Sequence, residues 1–322
     1  MDTVKGPYLM LVTHSSMVDF MVMTVAVHPY RANNVMTLEG FNTYTEPLMR
    51  SLGVLGTRKY ISDLNLIKNI RYCIDKLENP FVLFPEARYS LDGCTSYIPE
   101  STAKLIRLLR VPVIVLRIHG NFITQPQWNK IDKGNHVEAE MEQIITAKEC
   151  KKLTVAEIDA RVKEAFQYDD FKWQYENKIH IDHPKRAEGL HALLYKCPAC
   201  QTEGEMHSKG IKLWCEHCGK EWEMDEYGRM HALIGDTEFH HIPDWSNWER
   251  ECVRKEIEEG TYYFEDTARI ETLPGSLKFY YQGEGQVIQT PTETRIECNY
   301  HGEPYVLTRS SMDLESMHIE SD

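Results

Sequence analysis

Through the first 120 residues, short apolar runs alternate with stretches of helical periodicity. PYLMLVT (7–13), VMTLE (35–39), VLGT (54–57), FVLF (81–84) and VPVIVLRI (111–118) read as strands apolar on both faces. Between them, Leu64, Ile67, Ile70, Ile74 and Leu77 recur at spacings of 3, 3, 4 and 3, which predicts a helix with Ser62 as its cap. A second helix is expected over Ser101 to Leu109. Buried strands alternating with helices imply an α/β fold, a mostly parallel sheet flanked by helices.

The texture then changes. From about Thr146 the pattern is helical and charged, and Thr154-x-x-Glu157 forms a capping box opening LTVAEIDARVKEAF. A cysteine-rich segment follows from about Tyr195, then a Trp-rich helical piece, DWSNWERECVRKEIEEG. Alternating runs close the chain: TYYFEDTARIETL, SLKFYYQGEGQVIQT, ETRIECNY and EPYVLTRSSM. Gly283-Glu284-Gly285 and Gly302-Glu303 read as hairpin turns, so the end is expected to be a small antiparallel β module. The expected organisation is therefore 1–190 as the α/β domain with a helical extension, 191–232 as a cysteine ribbon, and 233–322 as the β-rich module.

Composition excludes several classes. The net charge is −13, and 19 acidic against 7 basic residues lie between Leu233 and Asp322, which disfavours nucleic acid as a partner. The longest apolar stretch, Met17 to Val27, is 11 residues and contains Asp19, too short to span a bilayer. Met1-Asp2-Thr3-Val4-Lys5 lacks the pattern of a secretory leader. Five of the nine cysteines (Cys73, Cys94, Cys150, Cys252, Cys298) are scattered singly, which suits a reducing, cytoplasmic setting. Cys73 and Cys94 are expected to pack rather than to act as nucleophiles.

The remaining four cysteines form Cys197-x-x-Cys200 and Cys215-x-x-Cys218, separated by 14 residues. Two such turns present four thiolates to one Zn²⁺. Four sulfurs close the coordination shell, so the zinc is expected to be structural and to stabilise a local module. His207 and His217 are read as surface residues.

His14 and Asp19 stand five positions apart after the first apolar run. One reading is structural: Ser16-x-x-Asp19 matches a capping box, and His14 merely ends a strand. The other places His14 at the C-terminal edge of that strand, where open α/β sheets bind ligands. Asp19 would then hold one imidazole nitrogen while the other acts as general base. The strand-end loops that follow carry Gly53 with Arg58-Lys59, then Pro85-Glu86 with Arg88, then Pro112. Arginine suits forked recognition of phosphate.

In this order, the blocks His14–Asp19, Gly53–Arg58, Phe84-Pro85-Glu86 and Val111-Pro112 resemble the glycerolipid acyltransferase family of the 1-acylglycerol-3-phosphate type. The resemblance covers roughly Gly6 to Lys130. NKIHIDHPKRAEGLHALLYKCPAC further looks like a bacterial branch with a zinc ribbon and a β-rich tail. It implies transfer of an acyl group from an acyl thioester co-substrate (acyl-CoA or acyl-carrier protein) to the hydroxyl of a lysophospholipid. His14 and Asp19 are then catalytic, with Gly53, Arg58, Glu86, Arg88 and Pro112 in substrate binding and peripheral membrane contact as a consequence. Ala87 stands where the family has glycine and Arg88 comes one residue early, so Arg58 is the better expected phosphate ligand. Members commonly carry membrane-associating helices before the first strand, so here either such a start precedes this sequence or docking uses another surface. The competing expectation is a catalytically degenerate scaffold that binds protein through its ribbon and β module.

Overall fold

In the computed structural model of the chain, residues 6–41, 44–58 and 63–313 are described. They form two compact units, 6–34 with 70–249 and 35–69 with 250–313. The chain opens with β1 (Leu9–Val12), α1 (Val18–Val27) and β2 (Asn33–Thr37), then passes through α2 (Glu46–Ser51) and β3 (Val54–Thr57). It continues with α3 (Leu64–Asp75), β4 (Phe81–Leu83), α4 (Ser101–Leu109), β5 (Val113–His119), α5 (Asn121–Thr124) and β6 (Glu138–Ile145). Next come α6 (Ala147–Cys150), α7 (Val155–Ala165) and α8 (Asp170–Glu176).

In the first unit the strands lie in the order β2-β4-β1-β5-β6. Leu9 to Val12 are buried on both faces, because β4 and β5 flank β1 in parallel and helices cover the sheet. α1 sends Met23 and Val27 into a cluster with Met10, Val12, Ile114 and Leu116. Its other face leaves Met17, Met21 and Val25 exposed. β6 runs antiparallel to β5 at the sheet edge, and Arg117 of β5 reaches Glu140 and Glu142 on it at 2.7 Å each.

The ribbon belongs to this unit. β7 (Met206–Lys209), β8 (Lys212–Cys215), β9 (Glu221–Met224) and β10 (Met230–Ala232) form an antiparallel sheet, and α9 (Ile242–Glu259) begins beside it. Its core is not its own. Phe122 and Ile123 of α5 and Phe171 of α8 are buried in one cluster with Cys197, Cys215, Trp222 and Trp245. The ribbon's apolar residues therefore share one core with α5 and α8 of the α/β domain.

In the second unit, β3 lies beside the remainder of β2, and Gly53 takes a φ of 89° in the turn from α2 into β3. β11 (Phe264–Thr272), β12 (Tyr280–Gln289), β13 (Glu293–Tyr300) and β14 (Glu303–Ser310) form an antiparallel meander. Gly302 does make a turn, but Gly283 and Gly285 lie inside β12 rather than in a hairpin. Gly283 (φ 124°) lies at a bulge opposite Ile270, and a Cβ on Gly285 would come within 2.6 Å of the Glu297 carbonyl.

Three other expectations shift. The apolar stripe of α3 buries Ile70, Cys73 and Ile74, whereas Leu64 and Leu77 are exposed, and Ser62 lies outside the described residues. The second strand starts two residues early, at Asn33. β6 has no counterpart among the expected strands, because its glutamates alternate with only Ala139 and Met141 and residues 138–143 are all exposed, so no strong apolar run marks it.

Candidate active site

Parallel pairing sets the site. Leu11 lies beside Leu83 and Val115, so the loops leaving β1, β4 and β5 emerge at one end of the sheet. The loop after β1 carries His14, the loop after β4 carries Glu86, and α5 follows β5.

His14 Nδ1 lies 3.0 Å from Asp19 Oδ2. That oxygen also accepts the N–H groups of Ser15 (2.7 Å) and Ser16 (3.1 Å), while Oδ1 accepts from the Asn121 side-chain amide. Asp19 is 1% exposed. An ionised carboxylate only accepts, so this contact calls for a proton on Nδ1, and in the neutral ring the lone pair is then on Nε2. Among the described residues Nε2 has no hydrogen-bond partner, and the side chain keeps 20% exposure. The ring is held between Phe84 (centroids 4.4 Å apart) and Tyr89 (4.2 Å).

The expected capping box is half present. Asp19 accepts the Ser16 N–H, but Ser16 Oγ accepts from Val18 N–H at 3.2 Å rather than from Asp19 N–H. The cap and the His14 pair are one arrangement, since the same carboxylate serves both.

Glu86 was expected among the substrate-binding residues. It is 3% exposed, and its oxygens accept the His14 N–H (2.8 Å) and the Ser96 N–H (2.6 Å). It therefore ties the β1 and β4 loops together and does not line an open surface. Burial pushes its carboxyl up to about 7 against the pull of those N–H groups, with the Asp19 charge adding to the rise and Arg88 opposing it. Ala87 adopts a φ of 55°, the left-handed region that glycine enters at least cost. The backbone at this position thus keeps the glycine conformation with alanine in it.

Pro112 is not brought to His14. It lies level with Tyr8 at the start of β5, where its carbonyl accepts the Leu9 N–H at 2.9 Å. Six residues of strand separate that level from His14, roughly 20 Å at about 3.3 Å per residue. Gly53 and Arg58 belong to the second unit, where Arg58 is exposed just beyond β3. Lys59 lies outside the described residues.

Four contributors were not singled out from sequence. Asn121 is fully buried against Asp19. Tyr168 Oη lies 2.6 Å from Ser15 Oγ, and burial holds its hydroxyl well above the usual range. Asp170 accepts from Gly120 N–H at 2.6 Å, Phe122 N–H at 3.1 Å and Ile123 N–H at 3.3 Å, and burial pushes it up to about 7. Ser96 bonds to Glu86. The available signal was a polar residue, Asn121, directly after a buried strand end and Gly120. Below the site, a groove of about 640 Å³ lies between α1 and β5–β6, lined by Met21, Val25, Tyr30, Leu116 and Met141.

The cysteine cluster has the donor set for zinc. Cys197 and Cys218 sulfurs are 3.7 Å apart, as are those of Cys200 and Cys215, and all four lie within 4.8 Å of one another. A tetrahedron with Zn–S of about 2.3 Å has S···S edges of about 3.8 Å, whereas a disulfide needs about 2.05 Å. The two turns repeat: Gln201 N–H bonds to Cys197 O and Gly219 N–H to Cys215 O, each at 2.9 Å, with φ of 65° and 73° at the two donors. The residues fit Zn²⁺, with no position left for a substrate.

No known family model and no curated protein matches the chain. Among solved structures it is similar to the 1-acyl-sn-glycerophosphate (LPA) acyltransferase PlsC from Thermotoga maritima, at 15% identity with a TM-score of 0.40. That match covers 51% of this chain, which spans 66% of the other protein.

Proposed function

We propose that the chain is an acyltransferase that moves a fatty acyl group from an acyl thioester, acyl-CoA or acyl-carrier protein, to a lysophospholipid hydroxyl, with 1-acylglycerol-3-phosphate as acceptor. The observation that carries this reading is the His14–Asp19 pair, with Nδ1 held at 3.0 Å and Nε2 directed away from it. His14 Nε2 takes the acceptor's hydroxyl proton as its oxygen attacks the thioester carbonyl. The tetrahedral adduct collapses with cleavage of the C–S bond, and the departing thiolate receives the proton back from His14. Asp19 stabilises the imidazolium between those steps. A thioester is already activated, so no enzyme-bound acyl group is needed. The apolar groove beside α1 suits long acyl chains. Arg58 is assigned to the acceptor phosphate, with Arg88 as the second arginine in this reading and Gly53 shaping the turn that leads to Arg58. The same apolar face of α1, with Met17, Met21 and Val25 exposed, supports peripheral contact with a membrane as the source of the acceptor. Zn²⁺ held by Cys197, Cys200, Cys215 and Cys218 contributes structure only.

The test is a transfer assay with purified protein, a panel of lysophospholipids and both donor classes. Acyl transfer by the natural chain and none by a folded His14→Ala variant is the expected result. Full activity in that variant removes the base from the mechanism. No transfer with any donor and acceptor favours the degenerate scaffold.

A further inference from the structure

Asp19 is held unevenly. Oδ2 receives three donors, His14 Nδ1 and the Ser15 and Ser16 N–H groups, but Oδ1 is met by the Asn121 amide alone among the described residues. Asn121 is fully buried, and its own Oδ1 has no partner there. An unmet buried acceptor costs about 1–3 kcal/mol. An apolar side chain of that size would fill the space without this cost, so packing alone does not account for the amide.

The helix that presents Asn121 cannot hold itself, since α5 is a single turn of four residues. Two outside groups fix it. Asp170 accepts the Gly120, Phe122 and Ile123 N–H groups around that turn. On the other side, Phe122 and Ile123 are buried in the cluster that contains Cys197, Cys215, Trp222 and Trp245. The preceding residues complete the connection. Asp169 caps α8 through Lys172 N–H and takes His241 Nε2 at 2.7 Å, and His241 stands at the start of α9 next to the ribbon sheet. Tyr168 meets Ser15, the neighbour of His14.

We propose that Asn121 is a positioning residue for the His14–Asp19 pair, and that the cysteine module sets its position through α5, so that integrity of the zinc-binding turns governs the pair. This rests on the reading of His14 as the base. It extends the structural role expected of the cysteine module as far as the His14–Asp19 pair.

The experiment has two arms, both on the full chain. In the first, Asn121→Ala and the isosteric Asn121→Asp are made alone and on an Asp19→Asn background. In folded protein, kcat should fall on the order of 10–100-fold with KM values unchanged. The His14 Nδ1 proton resonance should shift, and the loss should nearly vanish on the Asp19→Asn background. Additive losses, or an unmoved resonance with full kcat, overturn the positioning role. In the second arm, zinc is stripped with a chelator and amide hydrogen exchange is followed by residue. Faster exchange at Phe122, Ile123 and Thr124 together with the 195–224 segment is expected. An opened ribbon with α5 still protected overturns the coupling. Should the natural chain transfer no acyl group, the proposed function fails, while the resonance and the exchange still decide this inference.

Discussion

Glu86 offers a perturbation whose sign depends on pH. In Glu86→Gln one end of the side chain becomes an NH₂ group, so either His14 N–H or Ser96 N–H loses its acceptor inside the fold. That loss costs about 1–3 kcal/mol at any pH. Against it stands the ionisation of the natural side chain, whose carboxyl is raised from 4.5 to about 7 by burial. Between those values the folded form holds a proton that the unfolded chain has released. Stability from this group is therefore full below about 4.5 and is lost as pH rises through about 7, a swing of roughly 3 kcal/mol. Glutamine has no such swing. Urea unfolding at pH 5, 7 and 8.5, followed by tryptophan fluorescence, measures the difference, and all six tryptophans lie in the first unit. The natural chain should be the more stable at pH 5, with the gap shrinking by about 2–3 kcal/mol by pH 8.5. Asp170 titrates in the same window in both proteins and cancels in the comparison. A gap that stays constant from pH 5 to 8.5 would refute the assignment of a raised, proton-holding Glu86.

Asp19→Asn should cost on the order of 10²–10⁴-fold in kcat, since the imidazolium loses its counter-charge; a loss below threefold in initial-rate assays argues against the pair. Arg58→Ala should raise the acceptor KM far more than the donor KM, and equal effects on both would remove Arg58 from the phosphate. Cys200→Ser should lower bound metal from about one zinc per chain, measured by elemental analysis, and expose the segment from Tyr195 to Tyr227 to protease; metal-free natural protein would end the zinc assignment.

The parts of the fold that could be read from sequence are those where local pattern and burial agree. β1, β4 and β5 are apolar on both faces because helices cover both sides of the sheet, and the helix expected over Ser101 to Leu109 is α4 itself. β6 was hidden because an edge strand can stay largely exposed and carry glutamates at alternate positions with few buried apolar side chains. The glycines of β12 misled because a bulge and a close strand crossing use the same residue as a turn. At the site, His14 and Asp19 were legible from their spacing, which the tight loop from β1 into α1 converts into contact. Asn121, Tyr168 and Asp170 lie more than 100 residues from Asp19 in sequence: β5 running beside β1 carries Asn121 to the site, and Tyr168 and Asp170 reach it from the turn into α8. Pro112 shows the reverse, a motif residue whose place in the chain says nothing about which end of its strand faces the chemistry.

The row Glu138, Glu140 and Glu142 on β6 has a consequence beyond its contacts with Arg117. β6 ends the sheet on that side, and an open edge offers unpaired amides and carbonyls to any passing strand. A second chain that docked there would have to bring its own side chains against alternating carboxylates, two of them already committed to one guanidinium. Like charges in an identical copy would face each other directly. The glutamates that concealed this strand from pattern reading thereby act as a guard against runaway strand addition, and a chain with valines in their place would be a candidate for fibril growth from this edge.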